Sequence, residues 1–116
     1  MNRIAMLAVA CAVALGASAA ASASSPTLVA SVSDPLNISL TQNGAKVTHL
    51  KPGTYTIVVK DTAADHDFHL TGPGVNKTTS VGGKGTFTWK VTLKKGTYTY
   101  VCDPHASFMK GTVAVS

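Results

Sequence analysis

The chain has 116 residues, of which 45 % are apolar and 13 % are charged, and its formal net charge is +5 at pH 7. This length allows one domain with a modest hydrophobic core. The positive charge comes from scattered lysines with almost no arginine, which argues against nucleic acid as a partner, because nucleic-acid recognition relies on clustered basic residues and especially on arginine.

The first 23 residues have the layout of a secretory signal peptide. Arg3 gives a charged start, an apolar run covers Ile4–Leu15, and small residues follow it. The apolar run is shorter than the about 20 residues of a membrane span. We therefore predict a signal peptide over 1–23, no membrane span, and an exported protein that is periplasmic or extracellular. An uncleaved anchor and lipid attachment at Cys11 are the weaker alternatives.

Residues 24–116 form the predicted single domain, with no linker inside it. Removal of the signal peptide takes away Arg3 and lowers the formal charge to +4, which favours an acidic partner or an anionic surface. It also takes away Cys11, so that Cys102 is the only cysteine left. In an oxidising compartment a single thiol is buried, paired with another molecule, or used for a metal or for catalysis.

The domain is rich in Thr and Val, and Gly, Pro, Asn and Asp separate its apolar runs. This composition favours strands over helices. Seven short runs of this kind predict an all-β sandwich or barrel. The predicted strands are Thr27–Val32, Leu36–Leu40, Thr54–Asp61, Phe68–Gly72, Gly85–Leu93, Gly96–Cys102 and Gly111–Val115.

One heptapeptide occurs twice with a single difference, as LKPGTYT at Leu50–Thr56 and as LKKGTYT at Leu93–Thr99. Two copies are too few for a repeat architecture, and they indicate the same strand-entry corner used twice. We expect each Gly to turn the chain into a strand and each Tyr to point inward.

The segment DHDFHL supplies one candidate metal ligand. If Phe68 and Leu70 face the core, the two-residue period of a strand places His66 on the same inward side. The same period places Asp67 and His69 on the outer side. We therefore choose His66 as the ligand candidate, and we interpret His69 and His49 as exposed histidines.

The segment YVCDPHASFMKG supplies the other candidates. Cys102 shares the inward face of its strand with Tyr98 and Tyr100, and Pro104 then prevents the strand from continuing. His105 and Met109 follow on the loop. One thiolate, two imidazoles and a weak thioether are the ligands of a blue-copper centre. Structural zinc fits less well because only one Cys is present, and a Cys–His nucleophile pair lacks an orienting third group.

These two segments closely resemble those of the small cupredoxins, the plastocyanin-like and amicyanin-like blue copper proteins. The resemblance covers roughly Val47–Ser116. It implies a Greek-key β-sandwich that binds one type 1 copper ion through His66, Cys102, His105 and Met109, with His105 as the route for electrons. Three residues separate His105 from Met109, between the loop lengths of the two subfamilies, and Asp67 stands where small blue copper proteins usually have Asn.

From these observations we predict a soluble, monomeric carrier of single electrons between redox proteins, with acidic partners favoured by the positive charge. We predict that the protein transforms no substrate and is not an enzyme. The histidines outside the centre, His49 and His69, are too few for the additional copper cluster that an enzyme would need. The alternative is a protein that sequesters or delivers copper on the same fold.

Overall fold

The structure is a computed structural model, and it describes residues 24–116. The predicted signal peptide, with its apolar run and Cys11, lies outside the described residues. The signal peptide and the domain start at residue 24 therefore stay predictions. Within the described part of the chain, no helix is long and apolar enough to cross a membrane.

Ten β-strands and one 3-10 helix over Asp103–His105 are formed by the described residues, which confirms the predicted all-β class. The strands are β1 (Thr27–Ser33), β2 (Asn37–Gln42), β3 (Ala45–Lys46), β4 (His49–Leu50), β5 (Gly53–Asp61), β6 (His69–Gly72), β7 (Val75–Thr78), β8 (Gly85–Leu93), β9 (Gly96–Val101) and β10 (Lys110–Val115).

The strands form two five-stranded sheets, with the orders β3-β2-β1-β5-β8 and β4-β10-β9-β6-β7. After β3 the chain crosses between the two sheets five times, on entering β4, β5, β6, β8 and β9. Strand β1 is parallel to β5 and β4 is parallel to β10, whereas the other pairs are antiparallel. This is the predicted Greek-key β-sandwich.

The core lies between the sheets and is built by alternate residues of the long strands. In β5, Tyr55, Ile57 and Val59 are buried, while the residues between them face outward. In β9, Tyr98 and Tyr100 are buried in the same way. The predicted inward face of the C-terminal strand is therefore confirmed, because a two-residue period governs both strands.

The repeated heptapeptide forms the same corner in both sheets, as predicted. Gly53 and Gly96 begin β5 and β9 with φ angles of 154° and 146°, a region that favours glycine. The Tyr55 hydroxyl donates to the carbonyl of Lys51, four residues earlier. At the second corner, the buried Tyr98 hydroxyl accepts a hydrogen bond from the backbone N–H of the residue four positions earlier.

Two features differ from the sequence-based expectation. The strands β3, β4 and β7 are not predicted, because β3 and β4 have two residues each and β7 is a largely exposed edge strand without alternation. The predicted strand from Phe68 begins one residue later, and the residues before it form a loop. The outward position predicted for Asp67 is wrong, since strand alternation does not apply in that loop and Asp67 is buried.

Candidate metal centre

The predicted ligands come from two chain segments that meet at one end of the sandwich. His66 lies in the loop that leads into β6, and Cys102 follows directly after β9. Strands β6 and β9 pair antiparallel, with His69 opposite Val101, so the loop before β6 lies beside the loop after β9. His105 ends the 3-10 helix of that second loop.

Three donor atoms converge between these loops. The Cys102 Sγ lies 3.6 Å from the Nδ1 of His66 and 3.5 Å from the Nδ1 of His105. The two Nδ1 atoms are 3.1 Å apart, and the imidazole rings meet edge to face. His66 and Cys102 are fully buried, whereas His105 is half-buried. The structure therefore brings three of the four predicted ligands together.

The other nitrogen of His66 fixes which atom faces the centre. Its Nε2 lies 3.1 Å from the carbonyl oxygen of Pro35 and 3.1 Å from a carboxylate oxygen of Asp34. Both oxygens are acceptors, so Nε2 carries the proton and Nδ1 keeps its lone pair for a metal. A hydrogen bond from the remote nitrogen to a carbonyl or carboxylate is typical of metal-binding histidines.

The residues fit a copper ion in both distance and chemistry. A metal held at about 2.0 Å from imidazole nitrogen and about 2.3 Å from sulfur, with near-trigonal angles, keeps such donors roughly 3.3–3.8 Å apart. The observed separations of 3.1 to 3.6 Å are close to this range. One thiolate with two imidazoles suits copper, whereas structural zinc sites use four strong ligands.

The loop from Cys102 to Met109 closes on itself through backbone hydrogen bonds. The N–H of Cys102 donates to the carbonyl of Met109, and the N–H groups of His105 and Met109 donate to the carbonyls of Cys102 and His105. The Met109 side chain is fully buried. Its role as a weak fourth ligand stays a prediction.

Burial raises the pKa of the Cys102 thiol, and backbone hydrogen bonds from Asp67 and His105 only partly offset this effect. Without a metal the thiol is therefore protonated at neutral pH. Metal binding needs the thiolate and so releases this proton, which makes the affinity for metal fall as the pH decreases.

A buried carboxylate joins the two ligand loops. Asp67 accepts a hydrogen bond of 2.6 Å from the backbone N–H of Asp103 and one of 3.2 Å from the Thr78 hydroxyl. Burial and the neighbouring Asp103 carboxyl raise the pKa of Asp67. The pKa of Asp103 is lowered, first by its hydrogen bond with the Asp67 side chain.

His69 belongs to this network and not to the cluster of donor atoms. Its Nδ1 lies 3.0 Å from a carboxylate oxygen of Asp103, and its Nε2 lies 2.6 Å from Oδ1 of Asn76; both oxygens are acceptors, so the imidazole donates to both in its protonated form. These two hydrogen bonds raise the pKa of His69. His49 is exposed as predicted, and it contacts Ser116 at the end of β10.

Two residues around the centre are missed by the sequence reasoning. Asp34 reaches His66 from the loop between β1 and β2, and Asn76 reaches His69 from β7. The Asp34 contact joins loops that are far apart in the chain, and the Asn76 contact spans the short hairpin of β6 and β7, whose second strand is not predicted. A search for polar residues in the loops next to predicted ligands could have found Asp34 as a candidate.

Exposed apolar side chains occur in the loops that carry residues of the centre. Phe108, in the loop of His105, is 77 % exposed, and Leu36, two residues after Asp34, is 45 % exposed. Pro104 and Ala106 are also exposed and flank His105 in the sequence.

The comparisons with known proteins agree with this geometry. Residues 33–116 match a family model described as copper binding proteins of the plastocyanin/azurin family. Solved structures of rusticyanin are similar in fold. A methionine-to-glutamine mutant has a TM-score of 0.59 at 21 % identity, and rusticyanin from Thiobacillus ferrooxidans has 0.55 at 23 %; each match covers 78 % of this chain and 76 % of that one. Curated protein sequences give no match.

Proposed function

The chain belongs to the plastocyanin/azurin family of copper-binding proteins, and we propose that it holds one type 1 copper ion and carries single electrons between redox proteins. The observation that carries this proposal is the convergence of the Cys102 sulfur with the Nδ1 atoms of His66 and His105. One thiolate and two imidazoles are a donor set that suits copper.

We assign His66, Cys102 and His105 as the strong ligands and Met109 as the weak axial ligand. When bound, copper supplies a one-electron couple, because thiolate and thioether suit Cu(I) and imidazole suits both oxidation states. The remaining histidines are engaged elsewhere: His69 binds Asp103 and Asn76, and His49 contacts Ser116. They support a carrier more than an enzyme with a second copper cluster.

The protein fixes the positions of these donor atoms and excludes water from the sulfur. Asp34 and Pro35 fix the ring of His66, and Asp67 ties its loop to the loop of Cys102. Full burial of Cys102 keeps water from the sulfur. Donors held in this way rearrange little when the charge of the metal changes, and small rearrangement favours fast electron exchange.

The half-buried His105 is the proposed exit for electrons, because the exposed Pro104, Ala106 and Phe108 beside it form an apolar surface on which a partner can dock. The net positive charge supports long-range attraction of an acidic redox partner, and the contact itself is assigned to the apolar residues beside His105. The proposed carrier is an exported monomer, periplasmic or extracellular, whose domain begins after residue 23.

A visible spectrum of the copper-loaded protein tests the proposal. We expect an intense blue or green band from charge transfer between thiolate and copper, and we expect Cys102→Ser to remove it. His66→Ala should also remove the band, whereas His69→Ala should largely keep it. A colourless copper-loaded wild type contradicts the assignment.

Retention of the metal distinguishes a carrier of electrons from a protein that delivers copper. The carrier should keep copper in both oxidation states when it is challenged with a copper(I) chelator after reduction. Rapid loss of copper to the chelator, with the blue band intact before reduction, contradicts the carrier role and favours delivery.

A further inference from the structure

The charged residues are unevenly distributed over the sandwich. All five acidic residues of the chain are aspartates, and they lie in or next to the loops of the metal centre. Asp34 and Asp65 approach the Nε2 of His66, and Asp67 contacts Asp103. Asp61 ends β5, at the start of the loop that carries His66. The remaining surface therefore has lysines without neighbouring acidic groups.

Three of these lysines line one cleft of about 420 Å³ between β7 and β8. Strand β7 is the edge of one sheet and β8 is the edge of the other, so the sandwich is open at this side. Lys77 comes from β7, Lys90 from β8, and Lys94 from the turn that follows β8. We call this feature the lysine cleft.

The lysines of the cleft form no ion pair with any carboxylate of the described residues. Over residues 24–116, no lysine has a carboxylate oxygen within 4.0 Å of its ammonium group. A side chain at Gly74 would lie 3.7 Å from the Nζ of Lys94, so this ammonium group lies over the glycine turn. Like charges held around one concavity repel each other, and a bound anion relieves that repulsion.

The cleft also contains a neutral hydrogen-bond donor. Asn76 lines the cleft, and its Oδ1 accepts the hydrogen bond from His69. Since the amide oxygen is occupied, the amide NH₂ group is the part of the side chain left to donate. Three lysines and Asn76 line this one concavity, and an anion with several oxygens can use more of these donors than a single carboxylate can.

We propose that the lysine cleft binds a multivalent oxyanion of the phosphate class. This site is separate from the metal centre and does not depend on the proposed electron transfer. Lysines on edge strands also prevent edge-to-edge pairing with the strands of another molecule. That role accounts for Lys77 and Lys90, but it does not account for Lys94, which lies outside the strands and still lines the same cleft.

Calorimetric titration of the copper-loaded full-length protein with inorganic pyrophosphate, at pH 7 and low ionic strength, tests the site. The test variant replaces Lys77, Lys90 and Lys94 by Gln. The control variant replaces three exposed lysines outside the cleft by Gln and has the same net charge; these are Lys46, Lys51 and Lys60.

We expect saturable binding that the cleft variant weakens at least tenfold and the control variant less than twofold. Equal losses in the two variants, or no binding by the wild type, overturn the proposal. Amide chemical shifts of the reduced wild type provide a second measurement that needs no variant. They should change mainly at 74–77 and 90–94, and changes spread over all lysines count against the site.

Vesicles with and without phosphatidylglycerol identify the source of the phosphate group. If vesicle binding requires the anionic lipid and is lost in the cleft variant but not in the control variant, the ligand is a lipid headgroup. If pyrophosphate binds and the vesicles do not, the ligand is a free anion.

Discussion

Replacement of Asp67 by Ala removes the side chain that joins the two ligand loops. The backbone N–H of Asp103 then loses its acceptor at 2.6 Å, and the Thr78 hydroxyl loses one of its two acceptors. Asp67→Asn is the matched control, because the amide keeps an acceptor oxygen for the Asp103 N–H and nearly the same volume.

The expected cost of Asp67→Ala follows from these contacts. A buried N–H without a partner costs about 1–3 kcal/mol, and Thr78 adds little because its hydroxyl keeps a second acceptor. The raised pKa of Asp67 shows that burial disfavours its charge, so removing the carboxylate returns part of this cost. We therefore expect a net loss of about 1–3 kcal/mol for Ala and less than about 1 kcal/mol for Asn.

Urea unfolding of the metal-free protein at pH 7 measures both values, provided that the dependence on urea has the same slope in all three proteins. If Ala and Asn are equally stable, the hydrogen bond to Asp103 does not join the loops and the reasoning fails. Voltammetry of the copper-loaded Asp67→Asn protein adds a second result. Loss of negative charge near the metal should raise the reduction potential on the order of tens of millivolts. A potential at or below the wild-type value means that this carboxyl is neutral, distant from the metal or fully screened.

Three further predictions concern the fourth ligand, a buried acid and the repeated corner. Met109→Leu should keep the colour and raise the reduction potential, because loss of a weak donor destabilises Cu(II) more than Cu(I). The substitution should lower the stability by less than about 1.5 kcal/mol. An unchanged potential in voltammetry would mean that Met109 is a core residue only. Burial raises the pKa of Asp61 above its usual 3.8, so this group stabilises the fold below that pH and loses the contribution as the pH rises. The stability of metal-free Asp61→Asn relative to wild type should therefore increase from about pH 4 upward in urea unfolding, and a decrease over that range contradicts the pKa shift. Tyr98→Phe loses one accepted and one donated hydrogen bond and should destabilise the protein by about 1–3 kcal/mol. Tyr55→Phe loses a single hydrogen bond and should cost roughly half as much. Equal costs of the two variants in thermal unfolding would refute this comparison.

The parts of the fold and the centre that follow local rules could be predicted. The two-residue period of β9 correctly places Tyr98 and Tyr100 in the core and Cys102 beyond them. The glycines of the repeated heptapeptide begin strands in both sheets, because their φ angles suit few other residues. The spacing of Cys102 and His105 predicts the contact between them, since a tight loop has few ways to arrange a thiol and an imidazole.

The missed parts depend on contacts that no local sequence pattern specifies. The burial of Asp67 follows from its hydrogen bond to Asp103, 36 residues later, and strand alternation carries no information about a loop. Asp34 and Asn76 take part through sheet pairing and loop packing. The lysine cleft could not be predicted, because its lysines are scattered in the sequence and come together only where the edges of the two sheets meet.

The division of the centre between two loops also determines when it can form during biosynthesis. The Nδ1 of His66 and the sulfur of Cys102 are 36 residues apart in the chain, and Cys102 follows nine of the ten strands. As the ribosome adds residues from the amino end, His66 is made long before the thiol that it meets. The nascent chain therefore cannot bring these two donors together until β9 has been synthesised and has paired with β6. A metal that needs both donors can therefore bind only after most of the chain has been made.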